Sequence, residues 1–373
     1  MRYLYLSSVL FSSCFISLAF AYYKFYPGFF LFFPFILVGI TLILCSKTNM
    51  RLTWTLVFYI VFLGFYFIVN RILGDYQHIF VLSVAILIFL LSALLLDVEV
   101  GHLILTAFFR LILITLFIET VLTWLNTELL MTYFYLDNSN SGYRDLPNKL
   151  IEVIDGNIPG LNSIYFGAQS ASQLSFMATA YFFERNRQRR LSLFKPDFLL
   201  SLVICIYSLS ITSIFMMMSC LFISIFRFRK ITVKLTIVLM ISLVGSFATL
   251  IFLQHYSSIL EVIEIYILEA YWGRFVSIDL ISLLFGIGFR GELPNESTAE
   301  VGFLNYLIRL GLIGQLLLLF VIFCYPFLKT KDWSIKYLIL IGFISLIHYP
   351  VSIGIPFIFI TIFIASMALS YQR

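Results

Sequence analysis

Residues 198–226 read FLLSLVICIYSLSITSIFMMMSCLFISIF, 29 residues without a charge. A transmembrane helix needs about 20 apolar residues, so this run is too long for one upright helix. It is preceded by Glu184-Arg-Asn-Arg-Gln-Arg-Arg190 and followed by Arg227-Phe-Arg-Lys230, the two most basic clusters in the chain. Basic loop residues accumulate on the cytoplasmic side of a membrane. With both clusters on that side, the run between them must cross an even number of times. The expected arrangement is two short helices, about 198–209 and 214–226, separated by the polar break Ser208-Leu-Ser-Ile-Thr-Ser213. Each half is shorter than the bilayer, so the break needs a protein-lined or watery cavity. One long tilted helix is the alternative, and it would put one basic cluster on the far side.

The rest of the chain repeats this pattern of apolar runs and short charged joints. Apolar runs occupy 3–22, 28–45, 52–69, 79–96, 102–124, 164–183, 231–253, 301–326, 335–350 and 353–370. With the hairpin they give about twelve spans, an all-α polytopic membrane protein forming one transmembrane domain over 1–373, both termini cytoplasmic. Met1-Arg2, an apolar run and Ala19-Phe-Ala21 imitate a cleavable signal peptide. The run is long enough to span and further spans follow, so it is expected to be an uncleaved first helix. Only 12% of the residues are charged, against about a quarter in a soluble chain, too few to coat a water-facing surface.

Charge placement orients the bundle. The inner joints hold 16 Lys/Arg and 5 Asp/Glu, the outer loops 6 and 13, and two arginines and one glutamate fall within spans. The net charge of +5 forms no basic patch with interleaved aromatics, which excludes nucleic acid as a partner. All five cysteines lie inside apolar runs with no C-x-x-C pair, so neither a disulfide nor a zinc site is expected. No internal repeat is evident, which argues against an inverted-repeat transporter.

Two outer loops, about 125–163 and 254–300, are much longer than the others. Long loops in compact proteins are commonly functional. Arg144 lies in the first, Arg274 and Arg290 in the second, on a face poor in cations. A guanidinium grips phosphate bidentately and suits a lipid-linked pyrophosphate at the membrane edge. Eleven residues separate these arginines from Gly156, Gly286 and Gly302 respectively. The plainer alternative is ion pairing with the more numerous carboxylates around them.

Other polar residues carry two readings each. Arg110, in the middle of its span, is either a structural ion-pair partner or part of a cavity along a lipid path, since an intramembrane arginine is expected to face the protein interior. Arg309 and Glu119 admit the same pair of readings. Gln169 and Gln173, four apart, share a helix face and suit interhelical hydrogen bonding better than sugar contact. Asp97-Val-Glu99 imitates a metal-binding acidic pair, but the topology puts it on the inner side.

Several of these segments in their order resemble a known superfamily. A long outer loop with an arginine is followed by a span opening Gly167-Ala-Gln-Ser-Ala-Ser-Gln173. Then come Leu284-Phe-Gly-Ile-Gly-Phe-Arg-Gly291, Glu296-Ser-Thr, and Leu310-Gly-Leu-Ile-Gly314 in the next span. Over roughly 140–325 this layout resembles the O-antigen polymerase (Wzy-type) and O-antigen ligase superfamily. The resemblance implies a GT-C-type fold in a bacterial inner membrane and a metal-independent glycosyltransferase that needs no cofactor. Its implied substrate is an undecaprenyl-pyrophosphate-linked oligosaccharide on the periplasmic side, and a chain-length regulator is an implied partner. Carried over by position, Arg144 in the first loop and Arg274 and Arg290 in the second would hold the pyrophosphate; Arg110, Arg309, Gln169 and Gln173 are cavity candidates from their place in the spans alone. The family often has an arginine shortly after the short-helix break, and Ser208–Met218 has none. The ligase branch has an essential histidine in a larger outer domain, whereas the second loop here has only His255, at its start; this favours polymerase.

The implied reaction is attack of an acceptor hydroxyl on the donor's anomeric carbon with departure of lipid pyrophosphate. Arginines fixed at the leaving oxygen stabilise the charge that develops there. The hydroxyl needs a base within hydrogen-bond reach. Glu292 and Glu296, closest in sequence to Arg290, rank ahead of Asp145 and His255, and each of them is equally readable as an ion-pair partner.

Overall fold

The computed structural model describes residues 3–7, 9–10, 97–125, 167–188, 195–208, 280–287, 302–346 and 358–370, with single residues between 216 and 238. Every element among them is helical. They are α1 (Val98–Leu125), α2 (Gly167–Gln188), α3 (Pro196–Ser208), α4 (Leu280–Phe285) and α5 (Gly302–Leu319). A π-helical turn (Phe320–Cys324) joins α5 to α6 (Tyr325–Lys329), and α7 (Trp333–Ser345) and α8 (Ile358–Ser370) follow. Two stretches, Val98–Val121 and Tyr306–Lys329, are long and apolar enough to cross a membrane.

All of these helices except α4, which lies in the expected 254–300 loop, fall on apolar runs of the sequence, and their ends follow local chemistry; the runs 28–45, 52–69 and 79–96 and nearly all of 231–253 lie outside the described residues. Asp332 caps α7: its carboxylate accepts the Ser334 N–H at 2.8 Å and the Ser334 hydroxyl at 2.7 Å. Asp97 does the same for α1, accepting the Glu99 N–H at 2.8 Å. α2 runs past residue 183 through the charged Glu184–Gln188 segment, because those side chains find partners on other helices.

One end of the bundle gathers the charged joints. α1 begins there, α2 ends there, and α6 gives way to α7 there. His102 Nε2 lies 2.9 Å from Asp332 Oδ2, and Gln188 donates to the other oxygen of that carboxylate at 2.8 Å. On the opposite edge of the ring, His102 Nδ1 is 3.0 Å from the Tyr181 hydroxyl. Glu99 pairs with Arg185 at 2.8 Å. Arg227 makes a double contact to Glu184, at 2.8 and 3.1 Å, and stacks 4.0 Å above the Trp333 ring. Glu184 and Arg227 belong to the two basic clusters that flank the long apolar run. Their contact joins one residue of each cluster at the same end of the bundle. The second half of the hairpin, 214–226, lies mostly outside the described residues.

The core is made by α1, α2, α7 and α8 with α5 and its π-helical turn. Phe109, Tyr181, Phe359 and Phe363 are fully buried in it, and the Phe109 and Tyr181 ring centroids are 5.4 Å apart. α5 and α7 run in opposite directions: Phe303 N–H donates to Leu346 O at 2.6 Å at the end remote from Lys329 and Asp332. Gly101 in α1 sits against Met367 of α8, which brings the last turns of α8 back to the charged end.

Candidate functional site

A helix interrupted inside an apolar bundle frees backbone carbonyls that must find other donors. α5 is interrupted in this way at Gly311, where φ is 69° and ψ 175°, a conformation open almost only to glycine. The carbonyl of Ile308, one turn before the break, accepts the N–H of Ile287 at 3.0 Å. Ile287 follows Gly286, which ends α4 with φ 85° and donates to Ser282 O at 2.7 Å. The two glycines meet backbone to backbone. A Cβ on Gly286 would strike the carbonyl of Arg309, and one on Gly311 would strike the Gly286 nitrogen and the Leu284 carbonyl. The junction therefore exists only because both residues lack a side chain.

This junction joins two segments singled out by the sequence, Leu284–Gly291 and Leu310–Gly314. It holds the start of the second half of the 254–300 loop against the helix carrying Arg309, which is half-buried two residues before Gly311. The junction and the charged end lie at opposite ends of the stretch from Gly311 to Lys329, with α5 before the break turned back so that Phe303 O meets Gln315. That stretch corresponds to roughly 30 Å at 1.5 Å per residue, about the thickness of a hydrocarbon core.

The remaining site candidates divide as follows. Gln173 is buried within α2, and its Nε2 makes no hydrogen bond among the described residues. Gln169 is helical in the first turn of α2. Glu119 is buried towards the far end of α1. Gln315, one turn beyond the break, is buried and reaches back to Phe303 O at 3.3 Å. Arg110 is on the outer surface, its guanidinium paired bidentately with Asp197 through Nε at 3.0 Å and Nη2 at 2.7 Å. Arg144, Asp145, His255, Arg274, Arg290, Glu292 and Glu296 lie outside the described residues.

Sequence reasoning assigned no role to His102, Tyr181 and Asp332, which form a buried polar group at the charged end. The only local signal was Asp332-Trp-Ser334, a helix-start pattern that marks a cap and says nothing of a distant histidine. Burial works against ionisation of Asp332, but hydrogen bonds from His102, Gln188 and Ser334, with the charge of His102, hold its carboxyl well below the usual carboxylate range. Glu184 behaves alike: burial opposes its charge, and Arg187 and Arg227 outweigh it and lower its pKa. Both are structural anions whose donors are built in. Asp97 and Glu99 are engaged as a cap and an ion pair, and no cluster able to hold a metal occurs among the described residues. Compared with protein-family models, curated proteins and solved structures, the chain matches none.

Proposed function

We propose that the chain is a multi-pass inner-membrane glycosyltransferase that polymerises undecaprenyl-pyrophosphate-linked oligosaccharide repeats on the periplasmic face, releasing undecaprenyl pyrophosphate. Arg144, Arg274 and Arg290 hold the pyrophosphate, and Glu292 or Glu296 takes the proton of the attacking hydroxyl, with Asp145 and His255 as further bases. The composition, the charge asymmetry of the joints and the order of segments over 140–325 support this reading.

The observation that carries it is the junction of Gly286–Ile287 with Ile308–Gly311. Arg290 is the third residue after Ile287, a reach of about 11 Å at most. The part of the second loop that carries Arg290 thus starts beside Arg309, at the bundle end away from the basic clusters. A leaving pyrophosphate needs cations gathered at one point near the lipid, and a loop anchored on a helix break supplies a fixed starting place for them. A ligase moving finished polymer to lipid A-core would use the same chemistry. A flippase would need charges along a central path, and Arg110, one of its few candidates, lies on the outer surface in an ion pair.

The test is replacement of Arg144, Arg274 and Arg290 by Ala and by Lys, scored by the lipopolysaccharide ladder at matched protein abundance. Each Ala variant is expected to cap the surface polysaccharide at one repeat, and Lys to fail as well where both arms of the guanidinium are used. Normal ladders from all three Ala variants would remove the site. Polymer accumulating on undecaprenyl pyrophosphate in a deletion strain would favour the ligase.

A further inference from the structure

Arg110 occupies an unusual place. The exposed face of α1 carries Leu103, Ile114, Phe117 and Ile118, each about half exposed, at the spacing of one helix stripe. Arg110 falls within this stripe with its side chain 55% exposed. The neighbouring face of α3 is equally apolar, with Leu199 and Val203 exposed. An outward apolar surface of this kind faces lipid in a membrane-spanning bundle, so the guanidinium meets lipid directly.

Helix length fixes its depth. The 28 residues of α1 span roughly 42 Å, about 12 Å more than the hydrocarbon core. The first two turns hold Glu99 and His102, both in polar contacts with other helices, so the excess belongs at that end. The hydrocarbon then begins near residue 106. Arg110 starts about one turn inside. Helical side chains lean towards the N-terminus, and a long arginine stem can carry its head one turn further out. The charged group then reaches the headgroup level.

Its remaining donors face outward. Asp197 takes the Nε–Nη2 edge. A guanidinium has five N–H donors, so the Nη1–Nη2 edge keeps a second fork. Among the described residues no protein group takes Nη1. Asp197 holds the plane in one orientation, and the open fork matches two oxygens of a phosphate.

We propose that the Arg110–Asp197 pair is a phospholipid contact, in which the open guanidinium edge grips the headgroup phosphate of a membrane lipid at the bundle end bearing the basic clusters. The proposal rests on the membrane-spanning reading of the chain. Native mass spectrometry of the purified protein with phosphatidylglycerol, against a glycosyl diacylglycerol without phosphate, tests it. Arg110→Ala is expected to lower retention of phosphatidylglycerol about tenfold, the loss of one charge-assisted bidentate contact, and to leave the glycolipid unchanged. Arg110→Lys, with charge but no fork, is expected to retain an intermediate amount. Asp197→Asn breaks the same ion pair but keeps the guanidinium, and is expected to retain the lipid. Equal loss in the Ala and Asn variants, or no loss in the Ala variant, would overturn the contact. Ile114→Cys in a cysteine-free background separates this from the underlying reading. Labelling by a membrane-impermeant maleimide in intact membranes would remove the membrane-spanning reading itself. Ready oxidative cross-linking between two copies would assign the face to a second protein chain and overturn the lipid contact.

Discussion

Asp332, the N-cap of α7, is 2.9 Å from His102 in α1, and both side chains are almost wholly buried. The carboxylate therefore does two tasks, ending one helix and tying it to another, while the far side of the same imidazole contacts Tyr181 of α2. Three helices meet on one ring. Removing either residue leaves the other, a buried polar group, short of one hydrogen-bond partner, at a cost of about 1–3 kcal/mol. Asn caps a helix about as well as Asp, so Asp332→Asn weakens the tie to His102 and keeps the cap. His102→Gln and Asp332→Asn are each expected to lower the thermal unfolding midpoint in detergent clearly. The double variant should lose less than the sum of the two, because the groups act as a pair.

The same cluster sets the acid response. Asp332 and Glu184 have pKa values lowered by folding. Such groups stabilise fully above their unfolded values, about 4, and the stabilisation declines as pH falls towards the folded values. The expected outcome is a midpoint that is flat above about pH 5 with respect to these two groups and falls below it. Comparison of wild type with Asp332→Asn and Glu184→Gln checks the sign: each variant should start lower at neutral pH and lose less on acidification.

Glycine positions separate two kinds of close packing. Gly286 and Gly311 have positive φ and face backbone atoms, which cannot step aside. Alanine at either should cost well over 1 kcal/mol and detach the α4 segment from α5. Gly101 faces only the flexible end of Met367, 2.9–3.1 Å from where a Cβ would stand. Gly101→Ala is expected to fold with a small loss as Met367 shifts. Protein abundance and unfolding midpoint should rank Gly101→Ala well above the other two. Equal loss in all three would contradict the backbone junction.

How far these features can be read from the sequence depends on their range. Apolar length locates α1, expected at 102–124 and observed at Val98–Leu125, and α3, expected at 198–209 and observed at Pro196–Ser208. Hydrophobic runs report local demands, and those demands decide where a helix lies. The break at Gly311 is not visible that way: the run 301–326 is continuous, and an isolated glycine inside an apolar helix is commonplace. What requires the break is a second backbone, at Gly286, that the pattern of α5 does not mention. The π-helical turn Phe320–Cys324 escapes for a similar reason, since a one-residue change in hydrogen-bond register leaves composition untouched. His102, Tyr181 and Asp332 meet only after three helices have packed.

The most direct measurement of the central claim uses purified protein in detergent with lipid-linked repeat units and no vesicle, so that transport has no meaning. The account predicts products of two or more joined repeats on the carrier lipid, one undecaprenyl pyrophosphate released per linkage, and loss of both in Arg290→Ala. Unchanged substrate with well-folded wild-type protein, under conditions where a known polymerase extends the same lipid, would contradict it.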